Sequence, residues 1–140
     1  IIAVLEELAG ELACKNLSDA EIEKIEKRHA TMIKAYRVKD RKAYFQANQD
    51  IHNALIEGAR NDILETHHRL LASRVRRARF MANLSDDRWA QAIREHEQMM
   101  EKLRVRDSEG LGQLMKIHMM NKYAAHIRAL KAVSEDAAED

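Results

Sequence analysis

The stretch YFQANQDIHNALIEGARN, residues 44–61, has the pattern of an amphipathic helix with polar residues in its apolar row. Residues three and four apart share one face of a helix, and this spacing gives a stripe of Phe45, Asn48, His52 and Leu55. Asn48 therefore lies one turn from His52 on the same face. The pair is placed to hold one ion or one ligand together, if other helices supply the partners.

The composition predicts an all-α domain. The 140 residues contain no proline and four glycines, and 4% of them are aromatic, which is typical of helices rather than of sheets. The length corresponds to a single domain, residues 1–140, with a core large enough to fold unaided. With 24 basic and 23 acidic side chains the net charge is only +1, so the domain itself should not attract nucleic acid.

Cysteine usage and hydropathy narrow the class of protein further. Cys14 is the only cysteine, which excludes a disulfide framework and a thiolate zinc cluster and fits a reducing cytoplasm. No apolar run approaches the ~20 residues of a membrane span, and no signal peptide is visible, so we expect a soluble cytoplasmic protein without membrane contact. The chain opens without Met and already in a helical pattern, which predicts that it is part of a longer protein.

Capping and breaking signals divide the chain into about six helices. Ser18 with Glu21 has the pattern of a capping box, Asp40 can cap the third helix, and the fifth starts at Ser85. Short connections make neighbouring helices antiparallel, so the predicted architecture is an antiparallel bundle of about six helices. The last three helices are expected over residues 63–84, 85–107 and 108–134, followed by a frayed acidic tail. The first helix carries an apolar stripe of Val4, Leu5, Leu8 and Leu12.

Two further helices place a histidine inside an apolar row. The rows are Trp89, Ile93, His96, Met100 and Leu103 in the fifth helix and Leu111, Leu114, His118 and Ala125 in the sixth. A lone core histidine is usually satisfied by a backbone carbonyl or by water. Three buried imidazoles are costly unless each finds a partner, and one divalent cation satisfies all three. His52, His96 and His118 with the Asn48 oxygen leave one or two coordination positions open for a ligand.

Arginine supplies a second indication of a ligand. The fourth helix has a stripe of Ile63, His67, Leu70, Leu71, Arg74 and Ala78, with Arg77 close to it. A snorkelling arginine and a cavity-wall arginine both fit Arg74; the second, near a cation, would bind a carboxylate. Asn121, three residues after His118, could hydrogen-bond the ligand or a metal-bound water, or could lie on the helix surface. We therefore predict ligand binding by Arg74, Arg77 and Asn121.

Three other interpretations stay open at this stage. The pairs Glu26/His29 and Glu65/His68 have the ExxH spacing of a ferritin-like di-metal enzyme, although His68 lies off the apolar stripe of its helix. A hydrolase would use a metal-bound water but needs a general base beside the histidines, and none is obvious. A structural bundle without a ligand would not respond to a chelator. One metal ion per chain favours a sensor, and two favour the di-metal enzyme.

Four segments in this order resemble the FCD domain, the C-terminal effector-binding domain of the FadR branch of GntR-type transcriptional regulators. AVLEELAGELA (residues 3–13) is similar to its opening helix, and VKDRKAYFQANQDIHNALIEGARN (38–61) to its block with an AsnxxxHis motif. AIREHEQMMEKLRVRD (92–107) resembles its EH block, and LMKIHMMN (114–121) its last metal-bearing turn. The likeness covers nearly the whole chain. Asn48 stands where many members have Asp, Ile51 where Phe is common, and Asp62 where Pro is common.

The resemblance implies a bundle of six or seven antiparallel helices and a homodimer. It implies one divalent metal ion per chain, zinc or else nickel or manganese, held by Asn48, His52, His96 and His118, with a small organic acid bound over the metal. It also implies a sensor rather than an enzyme. FCD regulators bind DNA through an N-terminal winged helix-turn-helix, and nothing in these residues resembles one.

Overall fold

The structure, a computed structural model, describes residues 1–82 and 85–136, with their side chains except those of residues 75–82, 129–130 and 132–136. The described chain consists of six α-helices and contains no strand, which confirms the all-α prediction. The helices are α1 (Ile2–Asn16), α2 (Asp19–Arg37), α3 (Arg41–Gly58), α4 (Asp62–Ala82), α5 (Asp86–Arg104) and α6 (Ser108–Asp136). The predicted end of the fourth helix near residue 84 and the acidic tail after residue 136 fall outside the described residues.

Local capping explains where the helices begin. The Ser18 hydroxyl accepts from the backbone of Glu21 while the Glu21 carboxylate accepts from the backbone of Ser18, so the predicted capping box is present. The Asp40 carboxylate caps α3 by accepting from the Ala43 amide at 2.9 Å, and the Ser85 hydroxyl caps α5. In the described part of the chain, no helix combines the length and apolarity that a membrane crossing requires.

The main core is built from α1, α2, α3, α5 and α6. Trp89 is buried and makes edge-to-face contacts with Tyr36 and Tyr44 at 5.0 and 5.2 Å between ring centroids. Further buried members of this core are Leu55, Met99, Met100, Leu103, Leu111 and Met115. α6 packs against α1, α4 and α5, while α2 and α3 pack against each other.

α1 and α4 turn a different face inwards from the apolar stripes seen in the sequence. In α1, Val4 and Leu8 are 55% and 42% exposed, and the buried residues are Glu6, Ala9, Gly10, Ala13 and Cys14. In α4, Ile63 and Leu70 are 73% and 60% exposed, His67 and Arg74 are also exposed, and Leu64 and His68 are buried. The prediction that the stripe containing Ile63, His67, Leu70 and Arg74 faces inwards was therefore wrong, while the side chain of Ala78, its last member, lies outside the described residues.

The inner face of α1 is set by a close crossing with α6. A methyl group on Gly112 would lie 2.8 Å from the backbone oxygen of Glu7, and one on Gly10 would lie 3.2 Å from the Gly112 Cα atom. Larger side chains on this face would push the helices apart, so the leucines of α1 cannot occupy it. The crossing also brings Glu6 into the interior.

Replacing Gly112 with valine should lower the free energy of unfolding by about 1–3 kcal/mol, because the new side chain meets backbone that cannot move without separating α1 from α6. Urea denaturation of the purified protein measures the change. Gln113→Val is the matched control, since it adds the same β-branched residue at the next, exposed position of α6. Equal stabilities of the two variants would contradict the close crossing.

Candidate metal centre

Three imidazole rings from three helices meet in the interior. His52 comes from α3, His96 from α5 and His118 from α6, and each is at most 1% exposed. The ring centroids lie 4.7 to 5.3 Å apart. One ligand nitrogen from each ring lies within 4.8 Å of the other two. Two nitrogens bound to one zinc ion at about 2.0–2.1 Å would be closer than this, so small ring movements suffice to bring them onto a common ion.

Buried carboxylates hold two of the rings by their Nδ1 atoms. Nδ1 of His52 lies 2.6 Å from Oε2 of Glu6, and Nδ1 of His118 lies 2.5 Å from Oε2 of Glu95. A neutral imidazole that donates from Nδ1 carries its lone pair on Nε2, so these contacts select the tautomer that ligates through Nε2. A histidine held by a carboxylate in this way is a common arrangement at metal sites.

Among the described residues, no carboxylate supports His96. Burying its ring therefore costs more free energy than burying either of the other two. Neither of its ring nitrogens, nor Nε2 of His118, has a hydrogen-bond partner among the described residues. Burial, together with the nearby His52 and Lys122, lowers the pKa of His96 well below its ordinary value. Burial first, and then Lys122, also lowers the pKa of His118. Neutral, buried rings with unused lone pairs are suited to a divalent cation, and this donor set fits a zinc-type ion.

The metal-free protein should lose stability as the pH falls below about 6.5, the ordinary pKa of histidine in an unfolded chain. The pKa of His96 is lower in the folded state than in the unfolded state, so the unfolded state binds the proton first as the pH falls. The stabilisation is complete above the unfolded-state pKa and is lost as the pH falls towards the folded-state pKa. Urea denaturation in chelator between pH 7.5 and 5 measures this. His96→Leu should reduce the dependence and leave the part due to His118, whereas Gln113→Leu, at an exposed position of α6, should leave it unchanged.

Asn48 is buried on α3 together with His52, one turn away, as their spacing predicts. The side chain is fully buried on α3, and its Oδ1 accepts a hydrogen bond from Nζ of Lys122 at 3.2 Å. Lys122 is itself only 2% exposed. The amide oxygen that the sequence assigns to a metal ion is therefore in contact with an ammonium group in this structure.

The two supporting carboxylates connect the cluster to other helices. Glu6 of α1 accepts a second contact from Nε2 of His68 on α4, at 3.0 Å. Glu95 accepts from Nη2 of the buried Arg88 at 2.8 Å and from Nδ2 of Asn121 at 2.7 Å. Through these hydrogen bonds, α1, α3, α4, α5 and α6 each contribute a polar side chain to the cluster or to its direct support.

The predicted ligand-binding residues are distributed over different places. Asn121 contacts Glu95 rather than the histidines. Arg74 is exposed and lines a groove between α1 and α4, away from the histidine cluster, because α4 turns His68 inwards to Glu6 instead of the stripe that contains Arg74. The side chain of Arg77 lies outside the described residues.

Sequence reasoning missed the charged residues around the histidines, namely Glu6, Arg88, Glu95 and Lys122. Lys122 follows His118 by four residues and Glu95 directly precedes His96, so spacing could have suggested Lys122 at least. For Glu6 no signal was available, because a glutamate in an Ala- and Leu-rich helix has the pattern of a surface residue.

The two ExxH pairs do not form a second centre. Glu26 pairs with Arg104, while the ring of His29 stacks on His96 at 6.4 Å between centroids. His68 contacts Glu6, and Glu65 lines a surface pocket. Over residues 1–82 and 85–136, the only group of three or more histidine, cysteine or carboxylate ligands close enough for one ion is His52, His96 and His118.

Comparison with known families gives one result that covers most of the chain. The family model for the FCD domain matches residues 1–121 of the 140. The matched segment includes the three histidines of the cluster, Asn48 and both supporting carboxylates. No curated protein matches the chain.

Proposed function

The chain belongs to the FCD domain family, a family of regulatory ligand-binding domains of GntR-type transcription regulators, and from this premise we propose that it senses a small organic acid through a bound divalent metal ion. One ion per chain is held by the Nε2 atoms of His52 and His118, a ring nitrogen of His96 and the Asn48 oxygen. The observation that carries the proposal is the meeting of three buried imidazoles whose ligand nitrogens lie within 4.8 Å of one another.

The proposed ion is zinc, with nickel or manganese as alternatives, because imidazole suits zinc and nickel and an amide oxygen is accepted by all three. When bound, the ion supplies open coordination positions for a carboxylate. Glu6 and Glu95 orient His52 and His118 towards it. The histidines are buried, so a carboxylate bound beside them would interact strongly with the positive charges around it.

The acid is proposed to act by favouring one arrangement of the helices over another. Glu6 belongs to α1 and contacts both His52 and His68, so a movement of His52 towards the ion is transmitted to α1 and α4. A DNA-binding domain joined ahead of α1 would be reoriented by such a movement, and the spacing of two such domains on DNA is geometrically strict. We propose that contact with DNA occurs only through that domain, and that the regulator acts in the cytoplasm.

Elemental analysis of the purified protein, with mass spectrometry of any acid released on denaturation, tests the function. We expect about one equivalent of a transition metal per chain, a lower melting temperature after chelation, and recovery on adding zinc. Organic acids should raise the melting temperature further only when metal is present. A chelated protein that binds zinc, nickel and manganese no better than a surface histidine would contradict the proposal.

The exposed apolar residues of α1 and α4 support a homodimer. Ile1, Leu8, Ile63, Leu70 and Arg74 are among the residues that line a groove of about 670 Å³ between these helices. Exposed apolar patches of this kind are typical of interaction surfaces. Both stripes have the periodicity of buried faces, and the groove carries little charge, so we propose a second copy of this chain as the occupant.

Leu70→Glu should convert the dimer into a monomer, because the carboxylate would be buried against apolar groups of the partner. Sedimentation equilibrium measures the change in mass, and Arg69→Glu, at the adjacent exposed position, is the control. A wild-type protein that is monomeric at high concentration, or a Leu70→Glu variant that remains dimeric, would contradict this interface.

A further inference from the structure

Lys122 places a buried positive charge beside the histidine cluster. It lies four residues after His118 on the inner face of α6 and donates from Nζ to Oδ1 of Asn48 at 3.2 Å. Its charge acts on His96 and His118, where, after burial, it is among the causes that lower the pKa of both rings. A metal ion that enters the cluster therefore approaches an existing cation.

Because Lys122 contacts Asn48, its position affects metal binding directly. The proposed function assigns the same Oδ1 atom to the metal ion. A divalent ion and an ammonium group on one amide oxygen would repel each other, and in a buried site this repulsion is weakly screened. Metal binding thus requires the ammonium group to leave Asn48, yet Lys122 is held inside the bundle by its position on α6.

The balance of buried charge indicates what would receive the ammonium group. The charged side chains that are buried in the described part of the chain are Glu6, Arg88, Glu95 and Lys122, and together they sum to zero. Arg88 is already paired with Glu95 at 2.8 Å. A divalent ion raises the total to +2, which an acid with two carboxylates returns to zero and an acid with one does not.

We propose that Lys122 couples metal binding to the binding of a dianionic carboxylic acid. One carboxylate of the acid lies on the metal ion, and the ammonium group moves from Asn48 to the other carboxylate. Metal alone is opposed by Lys122, whereas metal and acid together are favoured, and by linkage each raises the affinity of the other equally. This inference rests on the proposed function and adds to it a preference for dicarboxylates over monocarboxylates.

Calorimetric titration of metal-free protein with zinc, in the presence of equal concentrations of malonate or acetate and corrected for the zinc bound by each acid in solution, tests the coupling. In the wild type, malonate should raise the zinc affinity about 10-fold more than acetate does. Lys122→Met keeps the apolar stem and removes the charge; it should bind zinc more tightly than the wild type without acid and lose the advantage of malonate. Lys116→Met, on the surface of the same helix, is the matched control.

Two results would overturn the role of Lys122. One is equal enhancement by malonate and acetate in the wild type, a measurement that does not depend on any variant folding. The other is a Lys122→Met protein that keeps the malonate advantage. A wild type that binds zinc but shows no such advantage refutes only this inference, whereas a wild type that binds no transition metal refutes the proposed function as well.

Discussion

Replacing His96 with leucine is expected to abolish metal binding. His96 is the ring whose two nitrogens both lack a hydrogen-bond partner among the described residues, so it contributes to the site only as a ligand. Losing one of three imidazoles leaves a set that no longer encloses the ion. Elemental analysis and competition with a chromophoric chelator measure the loss.

The same variant separates ligand function from structural function. In the metal-free state His96→Leu should be as stable as the wild type or more stable, because an apolar side chain of similar volume replaces a fully buried imidazole without partners. The rise in melting temperature on adding zinc should disappear. Gln113→Leu, at an exposed position of α6, should leave both properties unchanged. Retention of a full equivalent of metal by His96→Leu would refute the assignment of this cluster.

Local signals and strict periodicity account for the features that could be predicted from sequence. The Ser18 capping box is decided by residues three apart and is present as expected. His52, His96 and His118 are buried, as their positions in the apolar rows of α3, α5 and α6 predict.

Periodicity predicted the wrong inward face for helices that have two faces with few charged residues, α1 and α4. α1 buries small residues at its crossing with α6, and α4 buries His68 against Glu6. Part of each apolar stripe therefore stays exposed, namely Val4, Leu8, Ile63 and Leu70. A hydrophobic row does not distinguish a core from an interface with another molecule. Glu6 and Lys122 escaped prediction for a related reason, since a charged residue is buried only when a distant partner compensates it, and that partner is not visible in the local sequence.

Glu6→Gln should weaken zinc binding by roughly 10–100-fold while the fold is retained. Glu6 is fully buried and contacts Nδ1 of His52 at 2.6 Å. The negative charge of Glu6 makes the His52 imidazole a stronger electron-pair donor to the ion and partly offsets the charge of the ion. Glutamine keeps the shape of the side chain and loses its charge. Competition titration measures the affinity. Glu7→Gln, the neighbouring residue that pairs with Lys116 near the surface, is the control and should bind zinc like the wild type.

The variant also tests how the proposed metal centre communicates with α1. Glu6 holds His52 of α3 and His68 of α4 together, so its carboxylate connects the proposed metal site with the two helices that form the apolar groove. If this connection transmits ligand binding, the metal-dependent change in amide hydrogen exchange along α1 should be smaller in Glu6→Gln even at saturating zinc. An unchanged zinc affinity would show that Glu6 does not support His52 as a ligand. An unchanged exchange pattern in saturated protein would show that the signal leaves the centre by another helix.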